Sequence, residues 1–293
     1  MSVELILPAL VAVACGAAAG WFRLPLRPML AVRVLTAIAV VVAATTTVVL
    51  AAVVVGFAAR SALVLSVIEW CPVVPLHHHV GVAEGLVAAV LLGVGVWRAR
   101  RVLTRRRWAS EGTHGQRLAV LDSDEPIAYA APGDPGCVVI SRGLLDALEP
   151  RERQVVVAHE RAHLHHRHHR YLLAAELCRA MVPLLGPLVA QLRLATERSA
   201  DETAVDALDG DRQLVARTIA RAAITRSAHA GLVGGFGGGS VPARVQALIG
   251  PPDSMTSIAF ALSAGVITAT TAVAAGSVQI HHLAELIDHL CHL

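Results

Sequence analysis

Between Ala37 and Ala59 the chain carries no charged residue, and that run is too long for the core helix of an ordinary globular domain. A helix crossing the hydrocarbon of a bilayer needs about 20 predominantly apolar residues, and Val34 to Ala59 exceeds that length. Val3 to Trp21, Val80 to Trp97 and Ser257 to Val278 come near or above it. Val3 to Trp21 has no basic leading region and begins with Glu4, so it reads as a retained span rather than a signal peptide. Across the chain 55% of residues are hydrophobic and 16% charged. The expectation is a mainly α membrane protein with about four transmembrane helices.

The chain contains no lysine, so its topology is written in arginine. Arg23, Arg27 and Arg33 lie between the first two apolar runs, and Arg98, Arg100, Arg101, Arg105, Arg106 and Arg107 follow the third. Only Arg60 edges the intervening loop. Basic residues flanking spans stay on the cytoplasmic side. This predicts both termini outside the cell membrane and the segment after Arg107 in the cytoplasm. The net charge of +3 then reflects headgroup anchoring and gives no reason to expect nucleic-acid binding.

Chemistry concentrates in Val155 to His169, VVVAHERAHLHHRHH. His159 and His163 are one helical turn apart, so both imidazoles face one metal ion. Glu160 beside them is placed to take a proton from an attacking water. Catalytic zinc takes three protein ligands and leaves a fourth position open. Glu197, in Thr196-Glu-Arg-Ser-Ala-Asp201, is the expected third ligand for one Zn2+ ion, and Asp201, one turn on, the group that orients a ligating histidine.

Four segments in order, Ile127-Ala-Tyr-Ala-Ala-Pro-Gly, Cys137-Val-Val-Ile-Ser-Arg-Gly-Leu-Leu, Ala158-His-Glu-Arg-Ala-His-Leu and Glu197-x-x-x-Asp201, resemble the gluzincin core of integral-membrane metallopeptidases. Those include the BlaR/MecR antirepressor peptidases and the HtpX and CAAX-prenyl-protease group. The resemblance runs from about Leu118 to Leu248. It implies a cytoplasmic α+β gluzincin metallopeptidase domain with a small β edge. Ile127 to Ala131 or Cys137 to Ser141 is implied as the strand along which substrate backbone pairs. It also matches Pro242-Ala-Arg-Val-Gln-Ala-Leu248 to the arginine-bearing end of that domain, where Arg244 either positions substrate or holds the active-site helices. Arg244 and His229 are the candidates for stabilising the oxyanion.

The organisation expected is a three-span unit (1–97), an arginine-rich juxtamembrane linker (98–117), a zinc metallopeptidase domain (118–250), a fourth span (251–279) and a short external amphipathic tail (280–293). Glu149-Pro150 reads as a helix start. Tyr171 to Leu192, with Pro183 and Pro187, reads as a kinked helix packed on the domain or lying in the interface. His229 to Ser240, with its run of glycines, reads as a mobile loop, either a plain linker or a flap over the cleft. His165, His166, His168 and His169 are expected to face solvent at a helix end. His77, His78 and His79, with His281, His282, His289 and His292, would lie outside, as a polar face or as a sensor of metal or pH. Cys71 and Cys291 would share that oxidising side, where they could form a bridge. Cys137 has no positioned histidine base, which argues against a cysteine nucleophile.

Three function classes follow. The first, implied by the BlaR/MecR resemblance, is a zinc endopeptidase that cleaves a cytosolic transcriptional repressor on an envelope signal. It lacks the large penicillin-binding sensor domain of those receptors. The second is an HtpX-like quality-control protease of membrane proteins. The third is a non-proteolytic zinc-containing receptor, disfavoured because a structural site needs no base such as Glu160. Expected partners are a protein or peptide substrate, the lipid bilayer and, as an option, a second copy in a homodimer.

Overall fold

The computed structural model describes residues 3–21, 26–58, 81–107, 117–229 and 240–250. The fourth expected span, the tail, the histidines at 77–79 and 281–292, Cys71 and Cys291 lie outside the described residues. Three apolar helices open the chain: α1 (Val3–Ala19), α2 (Pro28–Ala58) and α3 (Val82–Arg107). Among the described residues only α2 and α3 are long and apolar enough to cross a membrane. At 17 residues, α1 rises about 25 Å, short of the roughly 30 Å of hydrocarbon. Two clear spans therefore stand where three were expected among the described residues. Val40, Val48 and Val55 on α2, and Leu86, Val90 and Leu91 on α3, are exposed. A soluble core would bury such residues, whereas acyl chains solvate them. The helix α3 continues through Arg107, so half of the expected juxtamembrane linker is helix. Arg101 stacks 3.9 Å over the Trp97 ring, an arrangement suited to an interface.

The sheet has strand order β1-β3-β2, from β1 (Leu118–Leu121), β2 (Ala128–Ala131) and β3 (Cys137–Ser141). The central β3 is parallel to β1 and antiparallel to β2. All five of its residues are buried, and both its edges are paired. Cys137 to Ser141 is thereby corrected as a substrate edge, while β2 is an outer strand and lies against the metal-motif helix. The Ser141 N–H donates to the Ile127 carbonyl at 2.9 Å, which fixes the alternation of the antiparallel ladder. Ile127, Tyr129 and Ala131 pair inward, and the backbone groups of Ala128 and Ala130 point out from the open edge.

Ser141 also starts the next element. Its hydroxyl accepts from Leu144 N–H at 3.2 Å and from Ile127 N–H at 2.9 Å, capping α4 (Arg142–Ala147) and pinning β2 with one side chain. The helix α5 (Pro150–His165) begins with proline at its first position, where no N–H is needed. The Glu152 carboxylate accepts from Glu149 N–H at 2.9 Å in capping-box fashion. It then takes a 2.7 Å contact from Arg221, which secures a buried charge to a later helix.

At Arg167 the backbone is left-handed, with φ +53°, and the chain turns from α5 into α6 (His168–Met181). Pro183 and Pro187 lack the donors a continuous helix needs. The expected kinked helix is instead α6, a 3-10 turn (Pro183–Leu185) and α7 (Gly186–Ala207). Leu185, Leu188 and Leu192 pack without exposure against Leu35, Ile38 and Val42 of α2. A methyl group on Gly20 would sit 2.2 Å from the Leu188 backbone nitrogen, so only glycine lets the end of α1 approach α7. The remaining helices among the described residues are α8 (Arg212–His229) and α9 (Val241–Ile249). The second half of α7, through Ala204 and Val205, shares a core with Val155, Val215 and Leu248. One helix thus joins the membrane unit to the metal motif.

Candidate active site

The helices α5 and α7 bring three donor side chains together. His159 and His163 project from successive turns of α5, with their Nε2 atoms 3.2 Å apart. Glu197 comes from α7, its carboxylate 3.6 Å from each of those nitrogens. One ligand atom from each residue lies within 4.8 Å of the others. Two ligand nitrogens about 2.0–2.1 Å from a tetrahedral zinc stand about 3.3 Å apart, so this spacing fits one ion. Among the described residues the set stops at three ligands, which suits a catalytic rather than a structural site.

Behind each imidazole stands a partner. The Nδ1 of His159 lies 3.0 Å from Asp201 Oδ1, which leaves Nε2 free for the site. Asp201 itself is clamped by Arg244 of α9, whose Nε and one terminal nitrogen donate to its two oxygens at 2.8 and 2.6 Å. The other terminal nitrogen lies 2.9 Å from Glu197. Each nitrogen of this buried guanidinium is engaged by a carboxylate, so Arg244 holds α7 and α9 together with three of its five N–H groups. Arg212 secures the other end of α9. It pairs both oxygens of Glu202 at 2.7 and 2.8 Å and donates to the carbonyls of Leu248 and Ala247 at 2.9 and 3.2 Å.

The second imidazole is backed by a residue that the sequence reading sent to solvent. His168 has no exposed surface, and its Nδ1 is 3.0 Å from the Nδ1 of His163. The left-handed Arg167 explains this correction, because five residues along an unbroken helix would carry His168 away from His163. For His163 to offer Nε2 to a metal, its proton must sit on Nδ1 and be donated to His168. His168 must then carry its own proton on Nε2, which meets no hydrogen-bond partner among the described residues. Of the other surplus histidines, His165 is exposed, while His166 is half-buried with Nε2 3.2 Å from the Thr203 hydroxyl.

Burial and charge set the protonation of the site. Burial opposes a charged His159, but hydrogen bonds to Asp201 and Glu197 overcome it and push its pKa up to about 9. Burial and the neighbouring His159 lower His163 to about 4, and burial and His163 lower His168 to about 3. Burial would raise Glu197, yet its hydrogen bond to His159 and the charge of Arg244 hold it well below the carboxylate range. Asp201 is held down against burial by Arg244 and His159. Glu160, half-buried beside His159, is raised by that burial, the direction that suits a group shuttling a proton.

Residues 99–233 match Peptidase family M48. The matched stretch contains His159, Glu160, His163, Glu197 and Asp201, and stops before Arg244. The Protease HtpX homolog of Thermoplasma acidophilum is 36% identical over 69 residues, 24% of this chain and 22% of that protein. The Protease HtpX homolog of Dictyoglomus thermophilum is 35% identical over 72 residues, 24% of each chain. The chain thus spans about a quarter of the length of the curated relatives it matches. No solved structure matches. These likenesses are to a peptidase family and to HtpX proteases, and they do not confirm the BlaR/MecR part of the resemblance.

Of the remaining candidates, His229 is the last residue of α8 rather than the start of a loop, and its side chain lies outside the described set. Arg226, earlier on the same helix and exposed, exerts its positive charge on Glu160. The sequence reading did not single it out, since an arginine on a polar helix face carries no local signal of what it approaches.

Proposed function

We propose that this protein is a membrane-embedded zinc endopeptidase of HtpX type that cleaves polypeptide on the cytoplasmic side. The carrying observation is the convergence of His159, His163 and Glu197 on one point, with Glu160 next to the first ligand. Zinc, when bound, would lower the pKa of a water molecule and polarise the scissile carbonyl. Asp201 and His168 hold the two imidazoles with Nε2 aimed inward. Glu160 accepts the proton of the attacking water and delivers it to the leaving amine. Substrate lies extended along β2, its backbone pairing with the outward groups of Ala128 and Ala130. Arg226 on α8, whose charge acts on Glu160, is the group proposed to face the developing oxyanion.

The arginines at the end of α3, with Trp97 and Arg101 stacked, support a cytoplasmic placement of the catalytic domain. The expected partners are therefore polypeptide and bilayer. The matched relatives are HtpX homologues, and no observation favours repressor cleavage, so membrane-associated polypeptides are the substrate class proposed. The test is hydrolysis of an unfolded protein by the zinc-loaded full chain and by Glu160→Gln. The variant should keep its zinc and lose about 10²- to 10⁴-fold in rate. Equal rates, or no hydrolysis by the zinc-loaded wild type, would overturn the proposal.

A further inference from the structure

Behind the α5–α6 turn lies a cavity of about 540 Å³, away from the donor atoms of the metal site. Its lining comes from the first turns of α2, including Met29 and Arg33, from the turn itself, including His166 and Arg167, and from Arg170 and Tyr171 on α6. No carboxylate lines it. Several arginines of this domain meet acids: Arg142 pairs with Asp122, Arg212 with Glu202, Arg221 with Glu152 and Arg244 with Asp201. Arg33, Arg167 and Arg170 reach into one shared space from three segments, and among the described residues no carboxylate neutralises them there. Like charges gathered without a counterion repel one another, so the arrangement is suited to an anion that arrives from outside.

The position of the cavity narrows the choice. From Arg33 onward α2 carries no further charge through Ala58, so Arg33 marks the level at which this span leaves the hydrocarbon. Phosphate groups of lipids lie at that level, and basic pockets beside spans hold them. Met29 and Ala174 give the cavity an apolar side, and its volume exceeds what a bare phosphate needs. We propose that this cavity binds the phosphate of an anionic phospholipid headgroup, clasped by Arg33, Arg167 and Arg170.

The bound headgroup would tie α2 to the turn that sets the site. His166 in that turn contacts Thr203 of α7, and His168 just after it backs His163. The inference rests on the membrane reading of α2 and not on peptidase chemistry.

The experiment uses the full chain, exchanged from phosphatidylcholine nanodiscs into nanodiscs containing phosphatidylglycerol, with retained lipid counted by native mass spectrometry. The wild type should retain phosphatidylglycerol over phosphatidylcholine. Arg33→Gln with Arg170→Gln should weaken that retention about thirtyfold, five- to sixfold for each arginine, while Arg33→Lys with Arg170→Lys should keep most of it. Glu160→Gln should retain lipid like the wild type, which separates failure here from failure of the enzyme reading. If inorganic phosphate displaces phosphatidylglycerol, and the glutamine pair abolishes that competition, the phosphate site stands but its natural source is soluble. Should the glutamine pair misfold, the wild-type preference and the lysine pair decide. No preference for phosphatidylglycerol and no effect of inorganic phosphate would overturn the proposal.

Discussion

Replacing His168 by alanine tests the idea that a buried imidazole, silent in any motif, tunes the metal site. The His163–His168 contact at 3.0 Å is the only hydrogen bond found at either ring's Nδ1 among the described residues. Loss of a partner that orients a ligating histidine costs about 10- to 100-fold in metal affinity, or about 1.4–2.7 kcal/mol. Removing a ring with no exposed surface also leaves a cavity, at about 2–4 kcal/mol of stability. The two effects separate by assay. Competition with a chelator of known affinity reads zinc binding, and thermal unfolding of the metal-free protein reads the cavity. His168→Gln, which restores an acceptor near Nδ1 of His163, should recover zinc affinity more fully than stability. If His168→Ala bound zinc as tightly as the wild type while its Tm fell, the ring would be packing only and the tautomer argument would be wrong.

The apo site should show a proton–metal exchange. His159 has its folded pKa raised from 6.5 to about 9, so its contribution to metal-free stability is full below 6.5 and lost as pH rises through 9. Zinc must displace that proton, so its affinity should climb up to about tenfold per pH unit across that window, and a flat profile by titration would refute the assignment. Arg244→Ala leaves Asp201 and Glu197 without their buried cation and should cost about 3–5 kcal/mol in denaturant unfolding. Arg244→Lys should not restore the loss, because an ammonium cannot reproduce the two-pronged contact. Ala130→Pro removes an outward N–H from the β2 edge without touching the inward ladder. It should raise KM for polypeptide with Tm nearly unchanged, whereas unaltered KM would remove β2 from the substrate path.

The membrane character and the metal motif were legible in the chain because each depends on local pattern. An uncharged run from Ala37 to Ala59 is long and apolar enough to cross a bilayer whatever its neighbours do. Histidines four apart share a face of any helix, and Glu197 and Asp201 share another. The sequence also marked the starting proline of α5 and the breaks at Pro183 and Pro187, since proline acts on its own backbone. What it left open were questions of partnership. Either strand Ile127 to Ala131 or Cys137 to Ser141 could have been the free edge, and only the order β1-β3-β2 decided it. Arg244 was read as reaching substrate or as holding helices; its fate depended on Asp201, forty-three residues away, lying within 2.6 Å. His168 passed for a solvent residue in a histidine-rich tail because its contact requires a left-handed arginine that no periodicity announces. Local pattern fixes which residues can do chemistry. Only long-range packing determines which polar groups satisfy one another, and that is what sets the tautomers, charges and open edges on which the activity turns.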